Sequence, residues 1–249
     1  MLLLRRRFAP LFVTQLLGAL NDNLFKSALV VTVTLGGAAR AGLGVDALVN
    51  VASALLILPF FLFSALAGQL ADKLDKARLI RALKLTEVAV MGLAALGFHL
   101  GSLPLLLGAL FLMGAQSAFF GPVKYGILPQ HLAANELVRG NGLVEMGTFV
   151  AILGGTLVGG LVIALPAVGT LVTTALLVTV AAAGYLAARQ VPDAPPSAPE
   201  LELDWNLARG TWRTLSIARA NRPAWKSIVG ASWFWFLGAL LLAQLPLIA

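Results

Sequence analysis

Four polar residues interrupt an apolar run near the start of the chain. The run covers residues 8–36, and Asn21, Asp22 and Asn23 stand in a row within it, with Lys26 one helical turn beyond Asp22. Residues four apart share a helix face, so Asp22 and Lys26 can pair, either to neutralise each other or to bind a charged ligand. Inside a membrane each charge costs at least about 2.5–3.5 kcal/mol, which by default indicates a functional site. The two flanking amides favour ligand binding, because neutralisation alone would not require them.

The elements that carry these residues are predicted to be membrane-spanning helices. The chain has 249 residues, 59% hydrophobic and only 12% charged, whereas soluble domains carry about 25% charged residues. Each apolar run is too long for a barrel strand of about 9–11 residues and suits a helix of roughly 20 residues. Seven runs predict seven spans, at residues 8–36, 47–71, 79–100, 103–128, 137–165, 167–188 and 225–247.

The basic residues predict the orientation of these spans. All Lys and Arg residues except Lys26 and Arg40 fall on one side of the predicted helices, which the positive-inside rule assigns to the cytoplasm together with the N-terminus. The net charge of +7 therefore reflects membrane orientation, and no nucleic-acid partner is expected. The chain has no cysteine, and His99 and His131 are far apart in sequence. No metal site and no cofactor are expected.

A charged segment follows the second predicted span. Gly68 and Asp72 stand four residues apart, and Lys73, Lys76 and Arg78 make the following loop basic. Glycine permits a neighbouring helix to approach closely, and Asp72 at the membrane edge can face a helix N-terminus or a basic side chain. The spacing resembles the signature that the major facilitator superfamily carries between its second and third helices. The resemblance implies that these five residues latch one transport state; the alternative is an ordinary basic loop.

Further polar residues lie on the fourth and fifth predicted spans. Gln116 precedes Gly121 and Pro122, which are predicted to kink or end the helix and to leave Lys124 in irregular backbone. Lys124 there either contacts a ligand or snorkels to the interface. Glu145 is expected about 12 Å into the fifth span, in the same leaflet as Lys124.

Two features of the third and fifth spans predict packing. Glu87 is expected to snorkel or to pair with Lys84, and no functional role is assigned to it. Small residues recur at every fourth position of the fifth span and predict a helix that packs backbone to backbone. They are Gly147, Ala151, Gly155 and Gly159.

Residues 190–224 are predicted to form a cytoplasmic linker. It begins as a Pro/Ala-rich, acidic stretch. Asp204 is then placed to cap a short helix with Trp212 on one face and Arg209 and Arg213 off that face. This pattern is typical of a helix that lies on an anionic leaflet.

The predicted fold is an all-α membrane protein of incomplete twelve-helix design. Residues 1–189 form a major-facilitator-type six-helix bundle, and residues 190–224 form the linker. Residues 225–249 form a seventh transmembrane helix. That helix is expected to begin a C-terminal bundle that is missing from the sequence.

Four stretches together resemble the lysophospholipid transporter branch of the major facilitator superfamily. They are NDNLFK at 21–26, GPVKYGILPQHL at 121–132, NGLVEMGTFVAILGG at 141–155 and SWFWFLGALLLAQLP at 232–246. The chain is most similar to the transporter part of bacterial proteins that fuse it to an acyltransferase and an acyl-carrier-protein synthetase. The resemblance implies movement of lysophospholipid, chiefly lysophosphatidylethanolamine, across the inner membrane toward the cytoplasmic leaflet. No acyltransferase HxxxxD motif occurs, so the chain is not expected to be an enzyme.

Such a substrate has a phosphate, an ammonium group and one acyl chain. Two lysines suit the phosphate as charged donors, two acids suit the ammonium, and three amides add hydrogen bonds. These candidates are Asn21, Asp22, Asn23, Lys26, Gln116, Lys124 and Glu145. Alternating access is expected to come from rocking of two halves about this site. Two alternatives remain: a transporter of another amphiphile or solute, and a non-transporting membrane anchor for a lipid-acylating enzyme.

Overall fold

The computed structural model describes residues 2–34 and 44–248, and these residues form helices and loops without a strand. Short 3₁₀ turns at Leu2–Leu4 and Ala134–Glu136 precede the first and sixth helices. Nine α-helices lie within the two described ranges. They are α1 Ala9–Thr32, α2 Val45–Lys73, α3 Lys76–Leu100, α4 Leu103–Gly126, α5 Leu128–His131, α6 Leu137–Ile163, α7 Gly169–Ala188, α8 Leu207–Ala220 and α9 Arg222–Ile248.

Each of the seven predicted apolar runs lies largely within one of these helices. Among the described residues, four segments are long and apolar enough to cross a membrane: Ala47–Lys73, Leu103–His131, Ala134–Ile163 and Gly169–Ala188. α1 and α3, which carry charged residues within their apolar runs, are outside that set, as is α9. The all-helical membrane class is thereby confirmed, while the count of seven spans stays a prediction.

The chain divides into two compact units, Met1–Leu203 and Asp204–Ala249. In the first unit, α1 packs against α6 and α7, α2 packs against α4, and α3 packs against α4 and α7. Buried apolar residues fill this unit in two clusters, one around Phe25 and Met91 and the other around Phe8 and Ile80. In the second unit, α8 packs against α9.

The small-residue stripe of α6 holds α1 at close range. A Cβ atom on Gly155 would lie 2.3 Å from the Leu20 carbonyl oxygen, and one on Gly159 would lie 2.3 Å from the Leu24 carbonyl oxygen. The predicted backbone-to-backbone packing is confirmed, because only a residue without a side chain fits at both places. This contact fixes the position of the α1 segment that carries Asn21 and Asp22.

Of the two outcomes predicted at Gly121 and Pro122, a kink or an end of the helix, the end is wrong. α4 continues through both residues to Gly126, so Lys124 lies in the last turn of a helix and not in irregular backbone. A proline removes one backbone donor, and packed membrane helices tolerate this loss.

Residues 191–201, here termed the strap, pack against helices of the first unit, where the composition predicted a linker. Ala194 is fully buried. Its carbonyl oxygen accepts a 2.9 Å bond from the Lys76 N–H, and its own N–H donates to Asp75 Oδ2 at 3.3 Å. The Ala198 N–H donates to the Asp72 carbonyl oxygen at 2.9 Å. These backbone bonds join the strap to the connection between α2 and α3.

The N-terminus of α8 is capped differently from the prediction. Asn206, and not Asp204, is the capping residue, because its side chain accepts the Arg209 N–H at 3.0 Å. Asp204 stands two residues earlier and forms an ion pair with Arg209 at 2.8 Å. Hydrogen bonds from the Arg209 side chain and the Asn206 N–H hold the pKa of Asp204 below its ordinary value.

Candidate functional site

A buried ion pair lies inside the first unit. Lys84 and Glu87 on α3 are 1% and 2% exposed, and Lys84 Nζ lies 2.5 Å from Glu87 Oε2. A Cβ atom on Gly18 of α1 would lie 2.1 Å from Lys84 Nζ, so the glycine leaves the space that the ammonium occupies. Phe120 of α4 places its ring 4.8 Å from the same nitrogen.

Amide side chains from two other helices bind Glu87. Asn21 of α1 donates to Oε1 at 3.4 Å, and Gln116 of α4 donates to Oε2 at 3.4 Å. Ser117 Oγ lies 3.3 Å from Gln116 Oε1 and donates to Asp22 Oδ2 at 2.7 Å. A continuous polar network therefore runs from the ion pair on α3, through α4, to Asp22 on α1.

Two oxygens of this network are buried without a hydrogen-bond partner among the described residues. They are Asn21 Oδ1 and Asp22 Oδ1. A buried acceptor left unsatisfied costs about 1–3 kcal/mol, and more when it is charged. Because Lys84 is already paired with Glu87, the Asp22 carboxylate adds a second negative charge to the network. The arrangement thus has capacity for a hydrogen-bond donor or a cationic group.

Lys124 and Glu145 belong to a second polar group, between α4 and α6. The Tyr125 hydroxyl donates a hydrogen bond to Glu145, and Lys124 Nζ lies 4.8 Å from the centroid of the Tyr125 ring. These contacts join the end of α4 to α6.

The predicted pairing of Asp22 with Lys26 is wrong. Asp22 accepts from Ser117 on α4, whereas the Lys26 side chain is exposed and forms no ion pair in the part of the chain that the structure describes. Asn23 also points elsewhere, since its side-chain amide donates to the Ala19 carbonyl oxygen of its own helix at 2.8 Å. Successive helical residues point in different directions, so three adjacent polar residues cannot all face one site.

The segment predicted to be a latch contacts the strap. Lys73 Nζ donates to the Leu201 carbonyl oxygen at 2.7 Å. Lys76, which is 1% exposed, donates to Ser197 Oγ at 2.7 Å. Asp72 and Arg78 are exposed.

The close helix approach predicted at Gly68 is wrong for the described residues. A Cβ atom on Gly68 would meet no atom of them within 4 Å. Within α2, the face that packs against α4 is therefore not the face that carries this glycine.

Sequence reasoning placed Asn21, Asp22 and Gln116 in the site but undervalued Glu87 and missed Ser117. A signal for Glu87 was present, because it lies well inside an apolar run with Lys84 three residues earlier, at helical pairing distance. Ser117 carried no such signal, because a single serine in a membrane helix commonly bonds to its own backbone.

Comparison with known proteins assigns the chain to a family. The family described as Major Facilitator Superfamily matches residues 11–249. Lysophospholipid transporter LplT of Salmonella gallinarum is 30% identical over 185 residues, which is 73% of this chain and 44% of that protein. Lysophospholipid transporter LplT of Photorhabdus laumondii is 29% identical over 242 residues, which is 96% of this chain and 56% of that protein.

The chain thus spans about half the length of the curated relatives that it matches. The family match, by contrast, covers almost all of its residues. Its four strongly apolar helices agree with a multi-pass membrane protein. The chain belongs to the Major Facilitator Superfamily of membrane transporters.

Proposed function

We propose that this chain transports lysophospholipid across the bacterial inner membrane by alternating access, together with a second helical bundle. The similarity to proteins named lysophospholipid transporter supports this substrate class. The second bundle is proposed because the chain spans about half of those relatives. Alternating access requires two bodies that rock against each other around a central site.

The proposed architecture has a cytoplasmic N-terminus and seven crossings. Residues 1–189 supply six crossings and residues 225–249 supply the seventh. Residues 190–224 connect them at the cytoplasmic face, with α8 lying on the leaflet surface. Exposed Trp212 on α8 supports this placement, because tryptophan favours the membrane interface. Arg209 and Arg213 supply charge that anionic lipids attract.

The head group of lysophosphatidylethanolamine suits the polar network chemically. Its ammonium can donate to Asp22 Oδ1 and Asn21 Oδ1, the two buried oxygens without a partner. Its phosphate can accept from Lys124, and from Lys26, whose side chain is exposed. Glu145 is a further candidate for the ammonium, with Gln116 as a hydrogen-bonding residue. Its single acyl chain would remain among apolar side chains.

The proposed latch comprises Gly68, Asp72, Lys73, Lys76 and Arg78. Lys73 and Lys76 bind the strap, so a change of their contacts would move the chain that leads to the second unit. We propose that these contacts hold one transport state. Breaking them would shift the balance between states without touching the head-group site.

The observation that carries the proposal is the polar network on α1, α3 and α4 with its unpartnered Asp22 oxygen. Its test uses right-side-out membrane vesicles from cells that express the gene. Fluorescent lysophosphatidylethanolamine is added outside, and the fraction that albumin no longer extracts reports inward movement. We expect Asp22→Ala to lower the initial rate at least about tenfold, which corresponds to 1.4 kcal/mol. Asp22→Asn should also lower the rate, because a neutral amide attracts the ammonium less than a carboxylate does.

Thr86→Ala is the matched control. It also removes a polar group from a helix of this bundle, but its hydroxyl bonds only to its own helix, at the Ala82 carbonyl oxygen. Its rate should equal that of the unmodified protein. Normal uptake by Asp22→Ala at equal membrane abundance would refute the assigned site. Uptake of a labelled sugar or drug in place of the lysolipid would favour a transporter of another solute. No uptake of any substrate, with an associated lipid-acylating activity, would favour the anchor.

A further inference from the structure

We propose that a cavity beside the start of α3 binds the phosphate of an anionic membrane phospholipid, which stays bound and is not the transported substrate. The cavity has a volume of about 550 Å³ and lies between the end of α2, the first turns of α3 and the strap. Ligand pockets for small molecules commonly measure about 300–1,000 Å³. The volume is therefore large enough for a phosphate with its glycerol.

Two cations line this cavity. The Arg78 guanidinium is exposed and forms no hydrogen bond or ion pair in the residues that the structure describes. Lys73 uses one donor on the Leu201 carbonyl oxygen, and an ammonium has two more. A guanidinium fork beside an ammonium is a favourable pair of donors for a phosphate.

The one acidic residue of the cavity wall has both oxygens engaged. Asp75 Oδ1 accepts the Arg78 backbone N–H at 2.8 Å, and Oδ2 accepts the Ala194 N–H at 3.3 Å. These bonds direct the carboxylate to the backbone of α3 and of the strap. The Arg78 guanidinium is thus left available to an external anion.

Neighbouring basic side chains already have partners. Arg81 pairs with Asp193 at 3.3 Å, and Lys76 is buried against Ser197. The cavity lining thus holds two cations, Arg78 and Lys73, against one carboxylate, Asp75, so its formal charge is positive. Charge complementarity indicates an anion as the occupant.

The apolar surroundings indicate that the anion belongs to a lipid. Leu79, Ala82, Pro195 and Pro196 line the cavity beside the two cations. The same face of α3 continues away from Arg78 through Leu85 and Leu96, which are 55% and 49% exposed. A free phosphate would gain nothing from this apolar surface, whereas an acyl chain would bury it. The inference also rests on the proposed orientation, which places the cavity at the cytoplasmic leaflet, where anionic lipids attract basic groups.

The test counts lipids on the purified chain by native mass spectrometry. Phosphatidylglycerol and phosphatidylcholine are added in equal amounts, and the phosphatidylglycerol that stays bound is measured. We expect the unmodified protein to retain phosphatidylglycerol preferentially and Arg78→Gln to lower its bound fraction at least about fivefold, because a charged donor pair is lost. Arg189→Gln removes the same charge from an exposed arginine at the end of α7 and should leave binding unchanged.

A second variant keeps the charge and fills the space. Ala82 lines the cavity and is exposed, so Ala82→Trp should exclude the lipid without disturbing the core. Retention of phosphatidylglycerol by Arg78→Gln or by Ala82→Trp would overturn the proposal. An equal loss of bound phosphatidylglycerol in Arg189→Gln would also overturn it, because it would show attraction to charge alone. Full displacement of the lipid by millimolar inorganic phosphate would overturn it too, because it would show a free-phosphate site. The assay contains no transport step, so its outcome is independent of the uptake experiment.

Discussion

The Lys84–Glu87 ion pair allows the interior of the first unit to hold two charged side chains, because each charge compensates the other. Both side chains are almost fully buried, and removal of one partner from a buried pair costs about 3–5 kcal/mol because the other charge is left uncompensated. We therefore expect Glu87→Gln and Lys84→Met each to lower the midpoint of unfolding strongly. The double variant removes both charges and should recover much of the loss. Unfolding in mixed micelles, followed by circular dichroism, measures all three.

The double variant also tests whether Lys84 and Glu87 stabilise the bundle by compensating each other's charge. If its unfolding midpoint is no higher than that of the less stable single variant, Lys84 and Glu87 do not compensate each other's charge. This interpretation of the network would then be wrong. Asn21 and Gln116 both donate to Glu87, so some loss in the double variant is expected from their unpaired amides. That loss should be smaller than the loss from an unpaired charge.

The polar residues of the site were only partly predictable from sequence. Asp22 stood out because a carboxylate is rare in an apolar run. Its partner did not, because Ser117 comes from α4 and the rotation of one helix against another cannot be read from spacing. Lys26 was misplaced for the same reason: a spacing of four permits a pair but does not impose one when another helix supplies a better partner.

At the scale of elements, the contact between α1 and α6 depends on glycine. A methyl group at Gly155 would lie 2.3 Å from the backbone oxygen of Leu20, so a shift of one helix is required. We expect Gly155→Ala to destabilise the bundle and to lower lysolipid uptake by displacing Asn21 and Asp22. Gly142→Ala lies on the same helix, and its Cβ would meet nothing within 4 Å. It should be neutral or slightly stabilising, because alanine favours helix by about 1 kcal/mol.

Unfolding midpoints and uptake rates of these two alanine variants check this expectation. If the two variants had equal midpoints and equal uptake rates, α1 and α6 could move apart without loss of stability. The stripe would then not position the site. The stripe was predictable because a period of four is local to one helix. The strap was not, because its bonds join residues that are distant in sequence, such as Lys76 and Ala194. Its prolines indicated only an extended chain.

At the scale of the whole molecule, composition alone predicted a helical membrane protein, but the number of crossings depends on α1, α3 and α9. α3 illustrates the difficulty. It carries Lys84 and Glu87 inside the bundle, and these charges lower its apparent apolarity although they face protein and not lipid. A count based on hydropathy therefore underestimates spans whose charges are paired internally.

The topology gives the last prediction, which the absence of cysteine makes direct. Single cysteines are introduced in loops between consecutive helices, at Ser102 and Pro166 on the proposed periplasmic side and at Ala133 and Gln190 on the proposed cytoplasmic side. In intact spheroplasts, an impermeant maleimide should label only the first two, and all four after the membrane is opened. If α3 did not cross, Ser102 would be protected together with the loop before α3. Labelling of Gln190→Cys in sealed spheroplasts would reverse the orientation on which the proposed direction of transport depends.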